Sequence, residues 1–199
     1  SLRNKMKSND RHTDDNGLYK DVEGNLSDLL IYERENLHLH REAGDRHAEA
    51  YDLSRIGDIY AMSGILEHAL DFYRKSFKIF REIDDRRGVA DQLGNMGIVY
   101  RYRGDLDYAL QYQTDALKIH REEGCRDGEA NALGNLGLIY RDMGSMDMAI
   151  DHFKQAHELQ KEDGNLQGLA NTIGNLGIIY RQVGNPQKAL ENHMEALAI

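Results

Sequence analysis

The chain has 199 residues, 30% of them charged, with a formal net charge of −9 and a single cysteine. This composition excludes an internal disulfide framework or a cysteine-rich metal cage, and without a basic stripe it disfavours nucleic acid as a partner. The longest apolar runs, such as Leu136 to Tyr140, fall far short of the roughly 20 residues a membrane-spanning helix needs, so a cytoplasmic protein in a reducing compartment is expected.

Residues 1–23 are polar, dominated by Asn, Asp, Lys and Ser, and carry no sustained apolar period. They are predicted to be disordered or weakly helical, with Asn16-Gly17-Leu18-Tyr19 as a degenerate repeat remnant. From Gly24 the pattern becomes regular, because Gly24-Asn25-Leu26 matches Gly104-Asp105-Leu106. The reading is a lone helix over 25–43 followed by four helix pairs at about 46–83, 86–123, 126–163 and 166–199. No secretory signal opens the chain. The start without methionine and the end inside a helical pattern are expected of an excised fragment, whose last apolar face lacks a polar cap and is open to self-association.

A shift of 40 residues aligns I-G-D-I-Y at Ile56–Tyr60 with M-G-I-V-Y at Met96–Tyr100, L-G-L-I-Y at Leu136–Tyr140 and L-G-I-I-Y at Leu176–Tyr180. The same shift aligns Gly64, Gly104, Gly144 and Gly184, then Ala69, Ala109, Ala149 and Ala189. Such self-similarity marks a stacked repeat. Within the third unit, Ala130, Leu133, Leu136, Gly137 and Tyr140 fall on one helical stripe, and Ala149, Phe153, Ala156 and Leu159 form the buried side of a second helix. Gly144 supplies a left-handed helix end, Asp105, Ser145 and Asn185 stand where N-caps belong, and Pro186 follows at a tolerant first-turn position. Gly44, Gly124 and Gly164 close the second helices, with Asp84 at the corresponding place in the second loop. A glycine recurring in mid-helix at Gly137 predicts close approach by the partner helix, with Ala149 the expected neighbour. Tyr140 and its equivalents are expected to bury their rings and direct their hydroxyls to a partner at the edge.

The combination of L-G-x-x-Y, a glycine four residues on and an alanine five beyond it resembles the tetratricopeptide repeat family over residues 24–199. Two features depart from the family pattern: Leu53, Leu93, Leu133 and Ile173 replace the usual aromatic of the first helix, and the unit is 40 rather than about 34 residues. The N-L-G-x-x-Y segments look most like repeats of Pins-type scaffolds and kinesin light chains. The resemblance implies an all-α, right-handed superhelical solenoid of antiparallel helix pairs, with first helices lining a concave groove. It implies a protein-protein interaction scaffold that binds a peptide or helical segment, not an enzyme, and needs no cofactor.

The residues opposite the buried stripe of the first helices are then the binding candidates. Asn95, Asn135 and Asn175 form one ladder, with Asn131 and Asn171 beside it; Arg101, Arg141 and Arg181 form a second; Ile98, Leu138 and Ile178 form a third. Tyr102 is counted with them. Asparagine amides can satisfy a ligand's main chain, arginines favour carboxylates and aliphatic side chains favour an apolar face, so the expected ligand is acidic with apolar anchors. The competing reading gives the asparagines to inter-repeat hydrogen bonds and Arg141 to an acidic neighbour. Arg55, Asp58, Ala61 and Met62 break the pattern in the first repeat, which places the preferred contacts in the later three. A carboxylate clamp of the kind that grips a chaperone terminus is not expected, because Ser54, Gly94, Gly134 and Gly174 occupy the corresponding positions.

Nothing points to catalysis or metal. The nine histidines show no H-E-x-x-H spacing, His40 and His120 share a column with Phe80 and Gln160, and the pairs Asp84-Asp85 and Glu122-Glu123 fall where solvation explains them. Cys125 has no histidine arranged to activate it. The alternative function is a regulatory or self-association segment of a larger signalling protein.

Overall fold

The computed structural model describes residues 18–197, with side chains from Leu26 onward. Among these residues every regular element is a helix: α1 Leu18–Ala43, α2 Arg46–Met62, α3 Leu66–Glu82, α4 Arg86–Arg103, α5 Leu106–Glu122, α6 Arg126–Asp142, α7 Met146–Glu162, α8 Leu166–Gln182 and α9 Pro186–Leu197. Each packs against its neighbours in sequence, and α4–α6 and α6–α8 also touch, so the first helices of successive pairs lie side by side. This nearest-neighbour pattern defines an all-α repeat solenoid.

The first helix begins before the expected boundary at Asn25. It runs from Leu18 through Gly24, since one interior glycine costs only about 1 kcal/mol of helix propensity and no proline intervenes. The expectations for residues 1–17 lie outside the described residues.

Helix ends follow local chemistry, with one correction to the expected caps. Asp45, Asp85 and Asn165 accept from the backbone N–H of Ala48, Gly88 and Gly168, each at 2.9 Å. Of the caps read from the sequence, Asn185 accepts from the Lys188 N–H at 3.1 Å, whereas Asp105 and Ser145 make no cap bond. Asp105 instead meets Arg103 Nε at 3.1 Å, a charged donor that competes with the backbone N–H groups. The loop glycines take positive φ throughout; Asp84 holds the same left-handed conformation at φ 57°.

The apolar stripes meet in a row of buried clusters along the solenoid. Phe80 and Phe153 are the largest fully buried side chains. The neighbour expected for Gly137 is wrong: a Cβ there would meet the Phe153 ring at 2.9 Å, not Ala149. Position 151 lies level with 137 across the hairpin, and because helix side chains lean toward their own N-terminus Phe153 reaches back to that level while Ala149 leans away from it. Gly57 likewise faces Tyr73, Gly97 faces Gln113 and Gly177 faces His193. Ala149 is fully buried in a cluster with Phe153, Leu176, Ile179 and Tyr180.

At the edge, Arg34 and Arg74 each donate an Nη2–H to a tyrosine hydroxyl, those of Tyr60 and Tyr100, at 3.0 Å. Arg46, Arg86 and Arg126, which open α2, α4 and α6, pair with Glu82, Glu122 and Glu162 at the end of the second helix of the same hairpin. These exposed pairs add little to stability individually. No described helix is long and apolar enough to cross a membrane.

Candidate functional site

The side-by-side first helices create two adjoining clefts. The larger, about 550 Å³, is walled by α2, α4 and α6 and floored by α5; the smaller, about 300 Å³, lies between α6 and α8 over α7. Asn131 and Asn135 border both clefts, Asn95 and Ile98 line the larger, and Leu138, Asn171 and Asn175 line the smaller. Seven of the twelve candidates are therefore gathered on one continuous surface.

Arg101, Tyr102, Arg141, Ile178 and Arg181 line neither cleft. Tyr102 is exposed with Arg101 over its ring at 5.4 Å, and Ile178 and Arg181 are exposed on α8. Arg101 Nε donates to Asp142 Oδ2 at 2.7 Å, and Arg141 Nη2 to Asp142 Oδ1 at 3.1 Å. Burial opposes ionisation of Asp142, yet these two arginines outweigh it and hold the carboxyl below the usual carboxylate range. Arg141 Nη1 also donates to Asn175 Oδ1 at 3.3 Å, while Asn175 Nδ2 donates to the Asn171 carbonyl at 3.0 Å. One rung of the asparagine ladder is thus already engaged between repeats.

Gly94 and Gly134 border the clefts, and Gly174 holds the same repeat position on α8. At Gly134 and Gly174 an added Cβ would meet nothing within 4 Å, and at Gly94 it would meet only Gln113 Oε1, at 3.9 Å. These glycines leave the backbone of the first helices bare without serving any internal packing.

The larger cleft also contains residues that the repeat columns had set aside. Asp58 accepts from the Tyr73 hydroxyl at 2.7 Å, and desolvation in the cleft pushes its carboxyl above the usual range. The same desolvation raises the Asp91 carboxyl, and burial lowers the pKa of His120. Gln113 is fully buried, with Nε2 donating to the Gly94 carbonyl at 2.7 Å. The signal that could have found these residues was departure from the column: Asp91 stands where Asn131 and Asn171 do, and Gln113 where Tyr73 and Phe153 do. Among the described residues no three His, Cys, Asp or Glu side chains gather as a metal site requires.

Helix pairs stacked in sequence, with their first helices side by side, define the class: a helical repeat protein. Residues 48–122 and 128–199 match the tetratricopeptide repeat family, and the chain belongs to it. Its fold is shared with BtubC (BKLC) from P. vanneervenii, at a TM-score of 0.77 and 22% identity over 87% of this chain and 73% of that one. Aspartyl phosphate phosphatase F from Bacillus subtilis superposes with a TM-score of 0.73 at 19% identity, covering 77% of this chain and 40% of that protein. A putative kinesin light chain with nearly identical TPR-like repeats from Podosopora anserina gives 0.65 at 12% identity, over 89% and 88% of the two chains. Among curated protein sequences none matches.

Proposed function

We propose that the chain is a protein-protein interaction scaffold that holds an extended or helical segment of a partner along α4, α6 and α8. The observation that carries this reading is the open glycine column. Gly134 and Gly174 each forfeit about 1 kcal/mol of helix propensity, yet a side chain there would touch nothing inside the protein. A bare backbone on a cleft wall suits close approach by another main chain, and Asn131 and Asn135 beside it can both donate to and accept from that chain. Ile98 and Leu138 supply apolar contacts, and exposed Arg181 favours acidic residues of the ligand toward the α8 end. The lone cysteine suits a reducing, cytoplasmic setting.

The test is a twelve-residue peptide selected on the wild-type protein from a random phage-displayed library. Asn135→Ala combined with Asn175→Ala is expected to weaken that peptide about tenfold or more, with little change in melting temperature. Undiminished affinity would remove the asparagines from the site, and failure to select any peptide would discard the groove reading.

One observation favours a second reading, self-association within a larger signalling protein. Leu190, Met194 and Leu197 of α9 are exposed, Leu197 at 88%. Met194→Lys with Leu197→Lys should then abolish a dimer seen by sedimentation; a wild type that is monomeric at every concentration would sink it.

A further inference from the structure

The two clefts share a fold position but not a chemistry. In the smaller, Asn131 and Asn171 face the groove, Phe153 forms part of the floor, and Gln160 Oε1 accepts from the Thr172 hydroxyl at 2.8 Å. No acid lines it. In the larger, Asp58 and Asp91 take the wall positions, and the floor is Gln92, Gln113 and His120.

Those floor side chains are 2%, 0% and 4% exposed, and Gln92 Oε1, Gln113 Oε1 and His120 Nδ1 have no hydrogen-bond partner. Buried polar atoms are nearly always paired, so three orphans in one cleft call for an explanation. Two of them are carbonyl oxygens, which can only accept. His120 Nε2 lies 3.7 Å from Asp91 Oδ1, and assigning the ring proton to that nitrogen makes Nδ1 an acceptor as well. The one cation in the wall, Arg55, already donates to Glu33 at 3.2 and 3.3 Å. The cleft therefore offers three unpaired buried acceptors and two carboxylates that pair with no lysine or arginine, and its side-chain donors include the neutral amides of Asn95, Asn131 and Asn135.

We propose that this cleft receives a lysine or arginine side chain of the polypeptide bound in the groove. The inference rests on the groove reading given above and adds a specificity determinant to it. A cationic head brings three to five N–H donors to a site of acceptors and carries the charge that Asp58 and Asp91 lack. With exposed Arg181 on α8 at the other end, the groove is electrically polar, which orients the ligand: basic residue over α2 and α4, acidic residues toward α8.

The test uses peptides selected from a random twelve-residue phage library on wild-type protein, then measured by fluorescence anisotropy. Lys or Arg should recur at one fixed position, and its replacement by Gln should weaken binding about tenfold or more. Asp91→Asn, and Asp58→Asn with Asp91→Asn, should loosen the wild-type peptide similarly and erase the preference when selection is repeated. The amide that Asp58→Asn introduces keeps a carbonyl acceptor for the Tyr73 hydroxyl, and circular dichroism melts verify that both variants are folded. Asp71→Asn, the same charge change on α3, should alter nothing. Selected peptides that are neutral or acidic at every fixed position, or equal affinity for the double variant, would overturn the cation pocket and leave the groove intact. Selection of no peptide at all would overturn both.

Discussion

Two of the glycine columns on the first helices answer to different forces. Gly57, Gly97, Gly137 and Gly177 face inward, where a Cβ would drive into Tyr73, Gln113, Phe153 or His193 at 2.6 to 2.9 Å. Gly134 and Gly174 face outward into empty space. Both columns give up the same helix propensity, but only the inner one recovers it within the protein, by letting a large side chain from the second helix settle against bare backbone. Equal spacing in a repeat therefore does not mean equal purpose.

The largest effect is expected at the inner column. Gly137→Val should destabilise by about 2–3 kcal/mol, because a branched side chain cannot share space with the buried Phe153 ring; urea unfolding monitored by circular dichroism measures it. In a Phe153→Ala background, Gly137→Ala should change from a cost to a gain of up to about 1 kcal/mol. If the sign does not change, the ring is not what the glycine accommodates.

The outer column should respond in the opposite sense. Gly134→Ala and Gly174→Ala are each expected to stabilise by about 1 kcal/mol and, in the same proteins, to weaken a groove-bound peptide. A gain in stability with unchanged affinity would separate these glycines from binding.

The loop at Asp84 isolates backbone conformation from contacts. Seven loop glycines adopt positive φ, and an added Cβ would meet nothing at any of them. Asp84→Gly should therefore stabilise by about 0.5–1 kcal/mol, through relief of left-handed strain alone. Thermal melts resolve the shift.

The smallest effect concerns the charges linking α4 to α6. The folded-state pKa of Asp142 is depressed, so its contribution is present above the unfolded carboxylate range and fades as pH falls through the folded value. The groups are partly exposed, which limits that contribution to less than about 1 kcal/mol. Asp142→Asn should flatten the acid side of the stability-pH profile by that amount; a profile identical to wild type would show the pairs to be inert.

The positions of α2 to α9 were legible because local rules govern them: a 40-residue period, glycine at loop ends and apolar stripes at helical spacing. The groove face followed from counting around the helix, and it placed Asn95, Asn131 and Asn135 on the surface that the fold opens. The arginine ladder was less legible. Whether Arg101 and Arg141 are available depends on Asp142, which is 41 residues from Arg101 and one from Arg141, and a column of aligned residues does not reveal which carboxylate lies within reach.

By itself the sequence determined the repeat, the helix pairs and the faces they present, because those depend on interactions a few residues apart. Tertiary structure decided that Gly137 receives Phe153, that Gly134 and Gly174 receive nothing, and that Asp58, Asp91, Gln92, Gln113 and His120 share one cleft. Those outcomes depend on distances between separate helices, and helix-to-helix distance is set by how whole side chains fit together.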